Sequence, residues 1–239
     1  MGHLILVRHA QASFLAPDYD RLSPVGTLQA ERLGEYWSQR KFSFDSVYSG
    51  PRVRHVGTAK IVAKTYQNAR LPFPRPVRMK EFDEFDAETV LKQGLPQLLK
   101  QDSHVQKLYQ AYRTSNGSDD QRRRFQRLFE VLIDKWVGGA LRVPGVESWS
   151  EFCVRVHRGL SRIVSGASSS ERVAIFSSGG PIAVAVQRAL HLSPEDTLKT
   201  VWMSRNCSYS EFLFSGDRFT LSSFNAFPHL DDAGLLTYR

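Results

Sequence analysis

Four aliphatic residues, Leu4-Ile5-Leu6-Val7, end abruptly in Arg8-His9. An unbroken apolar run of this length fits a strand buried on both faces, as in a parallel sheet covered by helices. The same form recurs twice. Phe44 to Tyr48 ends in Ser49-Gly50-Pro51, and Val173 to Phe176 ends in Ser177-Ser178-Gly179-Gly180. A helical pattern follows each. Successive strand–helix units imply a parallel sheet with crossover helices, and in such a sheet all three ends lie along one edge. That edge is where open α/β sheets bind ligands.

The rest of the chain fits around this frame. A loop from Ala12 to Asp20 leads to Ser23-Pro24, an N-cap followed by proline at the first helical position. That helix runs to about Gln39, with Leu28, Leu33, Tyr36 and Trp37 on its apolar side. A second helix spans about Arg52 to Asn68, and the proline-rich stretch Leu71 to Pro76 reads as a surface connection. Helices alone are expected at Glu88 to Lys100, His104 to Tyr112 and Gln121 to Trp136, with Asn116-Gly117-Ser118 as a break. This stretch, about 87–145, reads as a helical cap inserted in a single α/β domain. A helix from Ser148 to Ser165 and another from Pro181 to about Leu190 flank the third strand. Tyr209 to Phe214 and Arg218 to Phe224 close the chain as an antiparallel hairpin around Ser215-Gly216-Asp217. The expected architecture is a three-layer α/β sandwich, with a mostly parallel central sheet and helices on both faces.

Composition narrows the class. Hydrophobic residues make up 41% of 239 positions, ample for a core. No apolar run approaches the roughly 18 residues of a membrane helix, and nothing reads as a leader segment. The two cysteines, Cys153 and Cys207, are too few for a disulfide framework and have no partner at metal spacing. They read as core residues of a cytoplasmic protein. A net charge of +8 favours anionic partners. The densest basic cluster, Arg122 to Arg124 with Arg127, reads as a solvated helix face, and no named nucleic-acid motif accompanies it. The expected partner is a phosphorylated small molecule, not nucleic acid or a membrane.

The strand ends carry the chemistry for such a ligand. Arginine offers a fixed fork of donors that suits phosphate, and histidine serves as nucleophile or proton carrier near neutral pH. Arg8, His9 and Arg54 are placed to converge on one anion. Gly179 and Gly180 form a turn at the N-terminus of the helix from Pro181, where free backbone N–H groups favour negative charge.

These motifs resemble the histidine phosphatase superfamily, whose fold is phosphoglycerate mutase-like. VRHA at Val7 to Ala10 is similar to the family's opening Arg-His-Gly, with Ala10 in place of glycine. LSPVGTLQA at Leu22 to Ala30, SGPRVRHVGTA at Ser49 to Ala59 and GVESWSEFCVRV at Gly145 to Val156 resemble its later motifs. The resemblance implies that His9 forms a phosphohistidine while Arg8 and Arg54 clamp the phosphoryl oxygens, with no metal or other cofactor. It also implies a proton donor near the second helix. Glu84, directly before the helical insert, is preferred to Glu81.

Two departures stand out. Ser178 occupies the place of the family's second phosphate-binding histidine. Exchanging a charge-assisted bond for a neutral one costs on the order of 1–2 kcal/mol, so a weakened site is expected, with activity reduced or lost. His55, His157 and His229 are candidate substitutes, although each reads first as an ordinary surface or half-buried histidine. In the loop after His9, Ala12 and Leu15 stand where mutases place phosphate-contacting residues, leaving Gln11 and Ser13 to serve in part. The expectation is thus a metal-independent phosphatase acting on a phosphomonoester. Its alternatives are a silent relative that binds a phosphorylated ligand or protein, and a mutase-type phosphotransferase. Substrate and oligomeric state are not legible.

Overall fold

The computed structural model describes residues 1–13, 20–168 and 170–238. These form two compact units, one of residues 1–84 and 155–239 and the other of Phe85–Val154.

The first unit is built on six strands: β1 (Gly2–Arg8), β2 (Ser46–Ser49), β3 (Val77–Arg78), β4 (Arg172–Ser177), β5 (Tyr209–Ser215) and β6 (Arg218–Ala226). They form one sheet in the order β3-β2-β4-β1-β5-β6. The β1–β4, β2–β4 and β2–β3 pairs are parallel, while β5 runs antiparallel to both neighbours. Register aligns the strand ends, because Arg8 pairs with Ser177 and Ser49 with Phe176.

Leu4, Ile5, Leu6 and Val7 are all fully buried. Side chains alternate across a strand, so both faces of β1 are covered. Ile5 and Val7 join a core with Ala30, Leu33 and Trp37 of α1 (Pro24–Gln39) and Ala59, Val62 and Tyr66 of α2 (Val53–Asn68). Leu4 and Leu6 face the other way. α7 (Gly179–Leu190) packs against β1, β6 and α8 (Pro194–Met203), and is buried from Gly179 to Val186. The α/β fold with a mostly parallel sheet is therefore as the strand pattern requires.

Details differ. Leu28 is 40% exposed and does not belong to the apolar side of α1. α7 starts at Gly179, so the Gly-Gly pair forms its first turn and does not precede it. α8 is an additional helix, and its Ser193-Pro194 start repeats the Ser23-Pro24 signal: Ser193 caps Asp196 N–H as Ser23 caps Gly26 N–H. β3 is only two residues long, too short for any periodicity. The loop expected at Ala12 to Asp20, including Leu15, falls mostly outside the described residues. Its base is described: Ala12 bridges Leu22, and Ser13 N–H donates to Arg21 O at 2.8 Å.

The second unit holds α3 (Ala87–Gln101), α4 (Ser103–Arg113), α5 (Ser118–Val137) and the first residues of α6 (Trp149–Gly166). Val90, Leu98, Val105, Leu128, Leu132 and Ile133 form its interior. Phe85 stacks on Trp136 with ring centroids 5.1 Å apart, and Trp149 and Phe152 join them edge-on. Asp102 caps α4 and pairs with Lys135 at 2.6 Å. Arg122 to Arg124 and Arg127 are exposed.

Candidate active site

The end of β1 is fixed from both sides. His9 N–H donates to Ser177 O at 2.7 Å, and Cys207 N–H donates to His9 O at 3.1 Å. The next residue is held from α2. Thr58 Oγ1 accepts Ala10 N–H at 3.0 Å and donates to Arg54 O at 2.7 Å. One hydroxyl thus joins the residue after His9 to the residue that carries the second arginine. Gln29 Oε1 accepts Gln11 N–H at 2.8 Å. Gly26 lies so close that a Cβ there would stand 2.0 Å from Gln11 O.

His9 is 8% exposed, and its Nδ1 lies 2.8 Å from Ala10 O. A carbonyl oxygen only accepts, so Nδ1 carries the proton and Nε2 keeps its lone pair. Burial first, then the charges of Arg54 and Arg8 and the neighbouring His55 ring, hold the imidazole well below its ordinary pKa. The neutral ring is favoured, with Nε2 unprotonated.

Both arginines are anchored. Arg8 Nη2 donates to Tyr238 O at 2.7 Å and Nη1 donates to Ser204 O. Arg54 is 5% exposed and its Nη1 donates to Asp20 Oδ1 at 2.7 Å. Asp20 Oδ2 also accepts Val53 N–H at the start of α2. Nothing in the sequence singled out Asp20, whose partner lies 34 residues on.

The two carboxylates separate. Glu84 Oε2 accepts the Gly180 N–H at 3.1 Å, in the first turn of α7 beside Ser178 and Gly179. Arg52 fixes this segment by donating to Asp83 Oδ1 at 2.6 Å and Glu84 O at 3.1 Å. Glu81 sits against Gly159 and 3.8 Å from Arg162, on a basic groove of about 610 Å³ that also includes Arg78, Lys80, Arg155 and Arg158.

Of the remaining expected residues, Gln11 Oε1 accepts the Ser23 hydroxyl at 2.7 Å. Ser13 is half-buried at the loop base, and Gly179 is the first residue of α7. Ser178, the α7 N-cap, is buried and its Oγ lies 2.6 Å from His55 Nε2. The His55 ring is completely buried, 5.7 Å from that of His9. His229 packs between Tyr36 and Tyr209 instead, and His157 is half-buried on α6. Among the described residues, no group of three or more His, Cys, Asp or Glu side chains is placed to hold a metal. No described helix is long and apolar enough to cross a membrane.

Solved structures share this arrangement of elements along nearly the whole chain. A phosphoserine phosphatase from Entamoeba histolytica is 20% identical, with a TM-score of 0.61 over 96% of this chain and all of that one. A phosphoglycerate mutase from Bacillus anthracis is 18% identical, with a TM-score of 0.60 over 95% of this chain and 94% of its own. The fold is therefore phosphoglycerate mutase-like. The family model of the histidine phosphatase superfamily (branch 1) matches residues 4–137 and 118–226, and the chain belongs to that superfamily. A 2,3-bisphosphoglycerate-dependent phosphoglycerate mutase from Pelagibacter ubique is 35% identical over 79 residues, spanning 30% of this chain and 33% of that mutase.

Proposed function

We propose that the protein hydrolyses the phosphomonoester of a small molecule through a phosphohistidine on His9. The observation that carries this reading is the Nδ1–H bond to Ala10 O, which leaves Nε2 as a buried, neutral nucleophile in the field of two arginines. Nε2 attacks phosphorus in line as the ester P–O bond breaks. Arg8 and Arg54 balance the charge on the phosphoryl oxygens. Glu84, held beside the first turn of α7 by the Gly180 N–H, gives its proton to the leaving oxygen. Water then attacks phosphorus, the P–N bond breaks, Glu84 takes the water's proton, and His9 is returned neutral. Two easier transfers replace one hard one.

Small phosphorylated substrates are supported by the similar structures, one named for phosphoserine and another, from mycobacteria, for glucosyl-3-phosphoglycerate. The test is hydrolysis of p-nitrophenyl phosphate together with acid-labile phosphate labelling. His9→Ala is expected to lose at least ~10³-fold in kcat and all of the label. Equal rates in the variant and the parent would overturn the reading.

A further inference from the structure

We infer that His55, acting through the hydroxyl of Ser178, is the second imidazole of this anion site. The inference rests on the phosphatase reading above, in which the family resemblance expects a histidine where Ser178 stands.

Three independent features converge on the pair. First, Ser178 is the N-cap of α7, yet its hydroxyl makes no capping bond to that helix. A cap serine normally accepts an N–H of the first turn. Here the oxygen is turned to His55 Nε2 at 2.6 Å. Second, the chain makes room for the ring. Gly50 has no side chain where a Cβ would lie 2.3 Å from His55 Nδ1 and 2.4 Å from Phe82 O. Third, His55 Nδ1 is buried with no hydrogen-bond partner. No carbonyl or carboxylate therefore orients this imidazole as a base toward the serine, as a hydrolytic Ser–His pair would need.

The proton of the neutral ring then belongs on Nε2, its one partnered nitrogen. Nε2–H donates to Ser178 Oγ, and the hydroxyl proton is free to point to an anion oxygen in front of His9. The His9 ring is 5.7 Å away. Burial, with Arg54 and Arg52 nearby, holds His55 below its ordinary pKa, so this relay brings direction and polarisation but no added charge. Ser178 is the group that touches the anion, and His55 is its positioning residue.

Orthovanadate affinity, measured by calorimetry, tests this without requiring turnover. Ser178→Ala and His55→Leu are each expected to weaken binding about tenfold to thirtyfold. The double variant should bind no more weakly than Ser178→Ala, because the two act as one unit. His55→Gln, which keeps an N–H donor at the ε position, should recover affinity to within about threefold of the parent. An unchanged affinity in Ser178→Ala, or additive losses in the double variant, would overturn the inference. Phosphate labelling of His9, followed in parallel, reports on the phosphatase reading. Loss of label in the parent protein alongside coupled vanadate losses would sink that reading and leave the His55–Ser178 pair standing.

Discussion

The proposed reaction requires His9 to be uncharged. Protonation of Nε2 would remove the lone pair needed for attack on phosphorus, and burial together with two guanidinium groups opposes that protonation. The sign follows directly. A lowered pKa keeps the nucleophile competent to more acidic pH, and activity falls only as pH drops through the lowered value. The acid limb of kcat/KM, corrected for ionisation of the substrate, is expected below pH 6.5, the ordinary value for histidine. A limb at or above 6.5 would contradict the environment described for this ring. Arg8 and His9 were legible in the sequence because they end an unbroken apolar run. The place of His55 is not legible in the same way, because a single histidine on a helix carries no sign of which strand end it will meet. Asp20 was silent for the same reason: its role exists only once α2 has packed beside β1.

At the scale of elements, the strands and most helices could be read because burial on both faces and 3.6-residue spacing leave strong patterns. The closing hairpin and the start of α1 lie where turn and cap chemistry put them. The short pieces were lost. β3 is defined by its pairing to Tyr48 and Ser49, not by its own two residues. The contact between α1 and the end of β1 is equally a tertiary fact. Gly26, in the first turn of α1, touches Gln11 O, and no adjustment of a flexible side chain can relieve a clash with backbone. Gly26→Ala is expected to destabilise the protein by about 1–3 kcal/mol, read as a lower midpoint of thermal or urea unfolding. A gain in stability, as alanine would give in an open helix, would show that α1 does not approach β1 this closely.

Across the whole molecule, buried histidines set the response to acid. His229, wedged between Tyr36 and Tyr209, is pushed down to about 4 by burial, and His9 and His55 are lowered as well. The unfolded chain takes up these protons near pH 6.5 while the folded chain resists them. Stability is therefore full above about 6.5 and is lost as pH falls toward the folded values. For His229 alone the loss between pH 7 and 4.5 is about 2–3 kcal/mol. His229→Phe should shrink the measured pH dependence of unfolding by about that amount. An unchanged slope would show that this imidazole titrates normally.

The last described residues fasten the first strand. Arg8 donates to carbonyl oxygens at Ser204 and Tyr238, while Gln29 donates to Leu235 O and Asn206 N–H to Thr237 O. The guanidinium next to His9 is thus aimed by carbonyls up to 230 positions away. A cut just beyond Leu230 would spare every residue proposed for the reaction and the Ser204 carbonyl, yet take away the Tyr238 carbonyl that holds the other half of the Arg8 fork.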